Sequence, residues 1–223
     1  MTGRRKSNIS RNKTESNSCS ASKSKSLDSL RHAAKTCTNC DLYKYATQTV
    51  FGAGDERAKV IFVGEQPGDL EDLAGEPFVG PAGKLLDKAM AEAGIDRNKA
   101  YVTNAVKHFK FIERGKRRIH KQPRIFEIKA CQPWLLAEID CIKPAVVVCL
   151  GATAAKSLLK ERAGVTKQHG TVMRAEFAPF VVQTMHPSAI LRQPDSEHRH
   201  QAYQQLVNDL VVVAKVLKES GET

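Results

Sequence analysis

Four short apolar runs frame this chain: Lys59-Val-Ile-Phe-Val-Gly64, Tyr101-Val-Thr-Asn-Ala-Val106, Ala145-Val-Val-Val-Cys-Leu150 and Phe180-Val-Val-Gln-Thr-Met185. Each is short, rich in β-branched residues and continuous rather than alternating, as strands covered on both faces are. Between and after them lie stretches with helical period: Ala82 to Ala93, Arg124 to Asp140, Ala152 to Leu159, and Glu197 to about Lys218. Strands alternating with helices imply parallel crossovers. The predicted fold is therefore α/β, a doubly wound three-layer sandwich around a central four-stranded parallel sheet. In such a sheet the ligand crevice lies beyond the carboxyl ends of the strands. Three of the runs lead there into polar segments. These are Gly64-Glu-Gln-Pro-Gly-Asp-Leu-Glu-Asp72 after the first, Asn104 and a basic loop after the second, and His186-Pro-Ser188 after the fourth.

A chain of 223 residues can bury one full core. Its longest apolar runs, Val146 to Leu150 and Leu210 to Ala214, fall far short of a spanning helix, which excludes a membrane-spanning function. The start, Met1-Thr-Gly-Arg-Arg-Lys6, is basic but no apolar segment follows, so the expected location is the cytoplasm. The net charge of +11 is local. Residues 1 to 31 carry eight basic and two acidic side chains, residues 107 to 129 nine and two, and the remainder is close to neutral. Two such clusters suit a polyanion, nucleic acid first, with a solvated basic face as the alternative. Residues 1–29 hold nine serines and almost no large apolar side chain, so a disordered basic tail is expected there and one folded domain over 30–223.

Six cysteines in a cytoplasmic chain argue against a disulfide framework. Cys37-Thr-Asn-Cys40 reads as half of a metal site, or as a CxxC in a plain turn. Cys131, with His108, could complete four ligands. Cys149 within a strand and Cys141 at a helix end read as small hydrophobes, and Cys19 lies in the tail.

Taken in order, the motifs resemble a known family. Cys37-x-x-Cys40-Asp-Leu, Gly64-Glu-Gln-Pro-Gly, Gly75-Glu-Pro-Phe-Val-Gly-Pro-Ala-Gly-Lys-Leu-Leu86, Asn104-Ala-Val-Lys, Ala130-Cys-x-Pro-Trp-Leu135 and His186-Pro-Ser188 are similar to those of the iron-sulfur uracil-DNA glycosylases of the family 4 type. Lys116-Arg-Arg-Ile-His120 between Asn104 and Cys131 resembles the signature of the UdgX group, known for becoming covalently trapped on uracil-containing DNA. The resemblance implies a 4Fe-4S cluster on Cys37, Cys40, Cys131 and, where the family usually has Cys, His108. Imidazole in place of thiolate raises the reduction potential. Cys141 or water is the alternative fourth ligand, and the expected role is a structural staple.

The resemblance also implies chemistry. Uracil must be flipped out of a duplex or met in single-stranded DNA. Gly64 belongs to the base-binding set and Phe78 stacks on the face of uracil; Asn104 reads its O4 and N3–H edge and rejects cytosine, whose pattern is opposite. His186 donates to O2 as negative charge develops on the departing base. Glu65 faces the sugar, and Gln66, where family 4 commonly has Ala, shapes the access of water. Asp69 and Asp72 support the loop. Lys116, Arg117 and Arg118 hold phosphates while His120 attacks C1′ in place of water, giving a single-turnover reagent that acts as a monomer. The competing readings are a turnover family 4 enzyme, a non-catalytic iron-sulfur DNA-binding protein, and a phosphate-binding α/β enzyme, the last lacking a Gly-Lys-Ser/Thr loop.

Overall fold

The computed structural model describes residues 26–159 and 169–221. The described residues open with helix α1 (Leu27–Ala34) and a two-residue strand β1 (Ala53–Gly54), followed by β2 (Val60–Gly64), α2 (Asp69–Ala74) and α3 (Pro81–Glu92). Strand β3 (Ala100–Asn104) leads into a hairpin of β4 (Phe111–Arg114) and β5 (Arg117–His120), then α4 (Ile125–Ile142). The second half is β6 (Val146–Leu150), α5 (Gly151–Leu159), β7 (Val172–Ala175), β8 (Ala178–Thr184), α6 (Pro187–Leu191) and α7 (Ser196–Glu219). Among the described residues no helix is long and apolar enough to cross a membrane.

The sheet order is β1-β3-β2-β6-β8-β7, with β3, β2, β6 and β8 parallel and both edge strands antiparallel. The four predicted strands are the four parallel ones. Each is buried on both faces, and period-2 alternation divides them. Ile61, Val63, Val147, Cys149 and Val181 face α1, α4 and α5; Val60, Phe62, Val146, Val148 and Val182 face α3, α6 and α7. That division makes the three layers.

Two expectations need correction. Residues 26–29, assigned to the tail, open α1 instead: Ser26 caps the helix by accepting from Ser29 N at 3.3 Å, and Leu27 and Leu30 bury themselves in the α4 layer. The spacing of these two leucines puts both on one helical face, and burying Leu30 alone is worth about 2 kcal/mol. The rest of the predicted tail, with Cys19, lies outside the described residues. The basic loop is the second correction. Phe111 to His120 forms a β-hairpin with Arg114 opposite Arg117. Its two-residue turn has Gly115 at φ +61° and Lys116 at negative φ, the II′ arrangement that matches the twist of the strands.

Candidate active site

Strand β3 lies on one side of β2 and β6 on the other, so the chain reverses direction across the sheet between β2 and β6. A crevice opens at such a switch point. Here it is a cleft of about 890 Å³, lined by Glu65, Gln66, His120, Gln122, Thr153 and His186 among others. The pairing of β2 with β3 continues past the strands, with Ala105 N donating to Gly64 O at 2.9 Å and Val106 N to Glu65 O at 3.0 Å. That extension fixes the backbone of Glu65 at the lip.

Gly64, Phe78, Asn104 and His186 come together. A Cβ built on Gly64 would lie 2.3 Å from Asn104 Oδ1, 2.8 Å from Phe78 Cζ and 3.4 Å from His186 Nε2. Three side chains thus converge over backbone that only glycine leaves bare. Phe78 and His186 have ring centroids 6.2 Å apart and nearly parallel planes. Phe78 holds φ +59°, a conformation costly for a residue with Cβ. It is enforced from both sides. A Cβ on Gly83 would lie 1.6 Å from the Phe78 carbonyl oxygen, so α3 packs directly on that peptide, and Glu71 Oε1 accepts from Gly80 N at 2.9 Å.

His186 is the N-cap of α6, and its Nδ1 accepts from Ser188 N at 3.1 Å. A ring nitrogen accepting from a backbone N–H carries no proton. Burial, with Arg192 and His120 nearby, pushes this imidazole down to about 4, so it is neutral at pH 7. The remaining proton therefore sits on Nε2, the atom that faces Gly64.

On the opposite wall, Glu65 Oε1 lies 3.4 Å from His120 Nε2, and Thr153 Oγ1 donates to Glu65 Oε2. Gln122 Nε2 reaches Thr153 Oγ1 at 3.3 Å. Burial pushes the His120 imidazole below its ordinary value, with Glu65 opposing and Arg192 reinforcing, although the ring remains 47% exposed. The geometry pairs a carboxylate with a neutral, reachable imidazole.

The hairpin carrying His120 is tied down at three points. Gln66 donates from Nε2 to the carbonyls of Lys110 (3.0 Å) and Lys121 (3.2 Å) at the hairpin base, while its buried Oε1 has no partner among the described residues. Lys110 pairs with Glu127 at 2.7 Å. Arg118 bridges Asp69 and Asp72, both at 2.6 Å, and lies over the rings of Phe109 and Phe111. Asp72 is fully buried and also accepts from Thr47 N at 3.1 Å. Arg118, expected to hold phosphate, is thus engaged by two carboxylates in the free protein. Lys116 and Arg117 stay exposed at the tip.

The cysteines divide as well. Cys37 and Cys40 lie near Cys131, whose thiol is pushed up first by burial and in smaller part by these two neighbours; Cys37 Sγ accepts from Trp134 Nε1 and Cys131 Sγ from Lys107 N, each at 3.2 Å. His108 Nε2 instead contacts Thr49 Oγ1 at 3.0 Å, and its charged neighbour is Asp72. Among the described residues no three His, Cys, Asp or Glu side chains are gathered as a single metal ion requires. The donor set is nonetheless chemically suited to an iron–sulfur cluster: thiols, two of which already accept from an amide or an indole N–H. Cys141 does not join them: ten residues beyond Cys131 along α4, it is about 15 Å away.

Thr153, Gln122 and Arg192 line the cleft without belonging to any of the sequence motifs. Thr153 gave no signal beyond its place after a strand. Arg192 stands one helical turn beyond Ser188, whose hydroxyl accepts from Arg192 Nη1 at 3.2 Å.

The sequence profile described as the uracil DNA glycosylase superfamily matches residues 51–211. The chain is 35% identical over 184 residues to the type-4 uracil-DNA glycosylase of Archaeoglobus fulgidus, a match spanning 79% of this chain and 89% of that one. It is 36% identical over 177 residues to the type-4 uracil-DNA glycosylase of Pyrobaculum aerophilum, spanning 75% and 86%. The type-4 uracil-DNA glycosylase of Thermotoga maritima is 36% identical over 174 residues, spanning 78% and 87%.

Proposed function

The chain belongs to the uracil DNA glycosylase superfamily, whose chemistry is hydrolysis of the N-glycosyl bond of uracil in DNA, and from that membership we propose that it excises uracil once and ends covalently joined through His120 to C1′ of the deoxyribose. The observation that carries this reading is the pairing of His120 with Glu65 at 3.4 Å on the wall of the cleft that also holds His186.

Uracil enters over Gly64. Phe78 covers its face, and the Asn104 amide pairs with the O4 and N3–H edge. The bond between C1′ and the base breaks, and the base leaves with the electron pair. The Nε2–H of neutral His186 is aimed where negative charge on O2 develops, and a donor fixed beforehand by Ser188 needs no reorganisation at that moment. The Glu65 carboxylate, held by Thr153, stabilises the positive sugar. One ring nitrogen of His120 forms the new bond to C1′, and the proton on its other nitrogen passes to Glu65. Atoms balance: uracil anion leaves, imidazole is alkylated, one carboxyl is protonated. Gln66 sets where His120 stands by pinning both ends of the hairpin, and Lys116 and Arg117 meet backbone phosphates.

Cys37, Cys40, Cys131 and His108 would hold a 4Fe-4S cluster that, when bound, joins the segment after α1 to α4 and supplies a one-electron couple. None of the steps above passes through it. The test of this reading is the number of uracils released per chain with substrate in excess. One equivalent is expected. Continued release makes the protein a turnover enzyme, and binding of uracil DNA without release makes it a DNA-binding protein.

A further inference from the structure

Beneath the pocket, Lys107 and Glu138 form an ion pair whose members are 1% and 0% exposed. Lys107 Nζ donates to Thr103 Oγ1 at 2.6 Å, to the main-chain carbonyl of Asn104 at 2.9 Å, and to Glu138 Oε2. Three acceptors match the three protons of an ammonium, so none is left over. Among the described residues only donors face the Glu138 carboxylate: Gly52 N and the Tyr101 hydroxyl at 3.0 Å each, the Thr103 hydroxyl, and Lys107. The Phe51 ring lies 5.5 Å from the ammonium. A buried pair gives up two hydration shells, and apolar residues of the same volume would stabilise a core as well. Its arrangement therefore reads as placement of something. That something is the carbonyl of Asn104, the last residue of β3, at the register position opposite Gly64 where the base pocket begins.

We propose that Lys107, clamped by Glu138, is a positioning residue for Asn104: it fixes the orientation of the Asn104 peptide and hence the direction in which the side-chain amide enters the pocket. The proposal rests on Asn104 reading the base. Lys107 touches no substrate, so it acts only through Asn104.

The test is a double-mutant cycle on single-turnover uracil release. Lys107→Met with Glu138→Gln removes both charges while keeping volume. Release should slow roughly 100-fold, the scale of an ångström-sized misplacement, with DNA affinity and melting temperature nearly unchanged. In an Asn104→Ala background the same pair of substitutions should add less than about threefold, because the side chain they aim is gone. A general structural role would slow both backgrounds alike; that outcome, or a parental rate in the first background, overturns the proposal. Should the double variant not fold, Thr103→Val removes one acceptor of the ammonium, and a smaller loss confined to the Asn104 background is expected, with equal losses overturning it. An Asn104→Ala chain that itself works at the parental rate refutes base reading by Asn104 and this role with it. An impaired Asn104→Ala chain with additive losses refutes only the role of Lys107.

Discussion

Arg118 stands two residues before His120 on β5, and Arg118→Ala tests whether the hairpin is a positioned device or a passive loop. The guanidinium holds two carboxylates. Asp69 is 46% exposed, so that contact adds little, whereas Asp72 is fully buried and would lose its only cationic partner among the described contacts. Breaking a buried pair from one side costs about 3 kcal/mol, and the contact with the Phe109 and Phe111 rings adds about 0.5 to 1 kcal/mol. The total, about 3 to 4 kcal/mol, is spread over global stability and hairpin docking. If half falls on docking, the population with His120 beside Glu65 drops by a factor of about 10 to 30. Adduct formation should slow by that factor, while uracil release, which the proposed function assigns to Phe78, Asn104 and His186, slows far less. The assay follows adduct and free uracil in the same time course, with urea unfolding to apportion the stability loss. Arg118→Lys should recover part of the rate, since an ammonium replaces the charge but not the fork. Adduct formation at the parental rate in Arg118→Ala would show that the hairpin holds His120 in place without this contact.

Burial holds His120 below its ordinary range and His186 near 4, so acid should act on them in sequence. Between pH 6.5 and 4 the unfolded chain takes up a proton at His186 that the native chain refuses, so stability falls as pH drops, by no more than about 3 kcal/mol from this group. Because His120 is held below the ordinary imidazole range, adduct formation should persist where a free imidazole is already protonated and fail on further acidification; trapping that improves in acid contradicts the neutral nucleophile. Replacing both Lys116 and Arg117 with Ala should lower the slope of log affinity for duplex DNA against log salt by roughly 2, and an unchanged slope removes them from the phosphates. Protein purified without oxygen should hold about four irons, lost in Cys37→Ser and Cys131→Ser and kept in Cys149→Ser. Full iron in Cys131→Ser refutes the ligand set.

The central sheet was legible because Val60 to Gly64 and Val146 to Leu150 are uninterrupted apolar runs that only a doubly covered strand explains. The edges were not. β1 has two residues, and β7 alternates exposed with half-buried positions, so tertiary pairing rather than local composition makes them strands. The hairpin was hidden by charge: Phe111 to His120 reads as a basic loop, and the one local signal was Gly115 at the first central position of a two-residue turn. Within the site, residues on motifs could be named, but their protonation could not. That His186 carries its proton on Nε2 follows from the amide of Ser188, a contact made only once α6 has formed. That Arg118 pairs with Asp72 follows from burial of a carboxylate four elements earlier in the chain.

The most direct measurement of the central claim is the fate of DNA and uracil when equimolar protein and uracil-containing oligonucleotide are mixed, denatured in SDS with heat and separated, for the parental chain and for His120→Ser. A heat-stable adduct and one released uracil per adduct are expected from the parental chain, and little adduct from abasic DNA, which has lost the leaving group. His120→Ser leaves Glu65, Phe78, Asn104 and His186 in place and admits water, so it should give no adduct and release uracil repeatedly. An adduct of parental yield in His120→Ser, or no adduct from the parental chain, would contradict capture by His120.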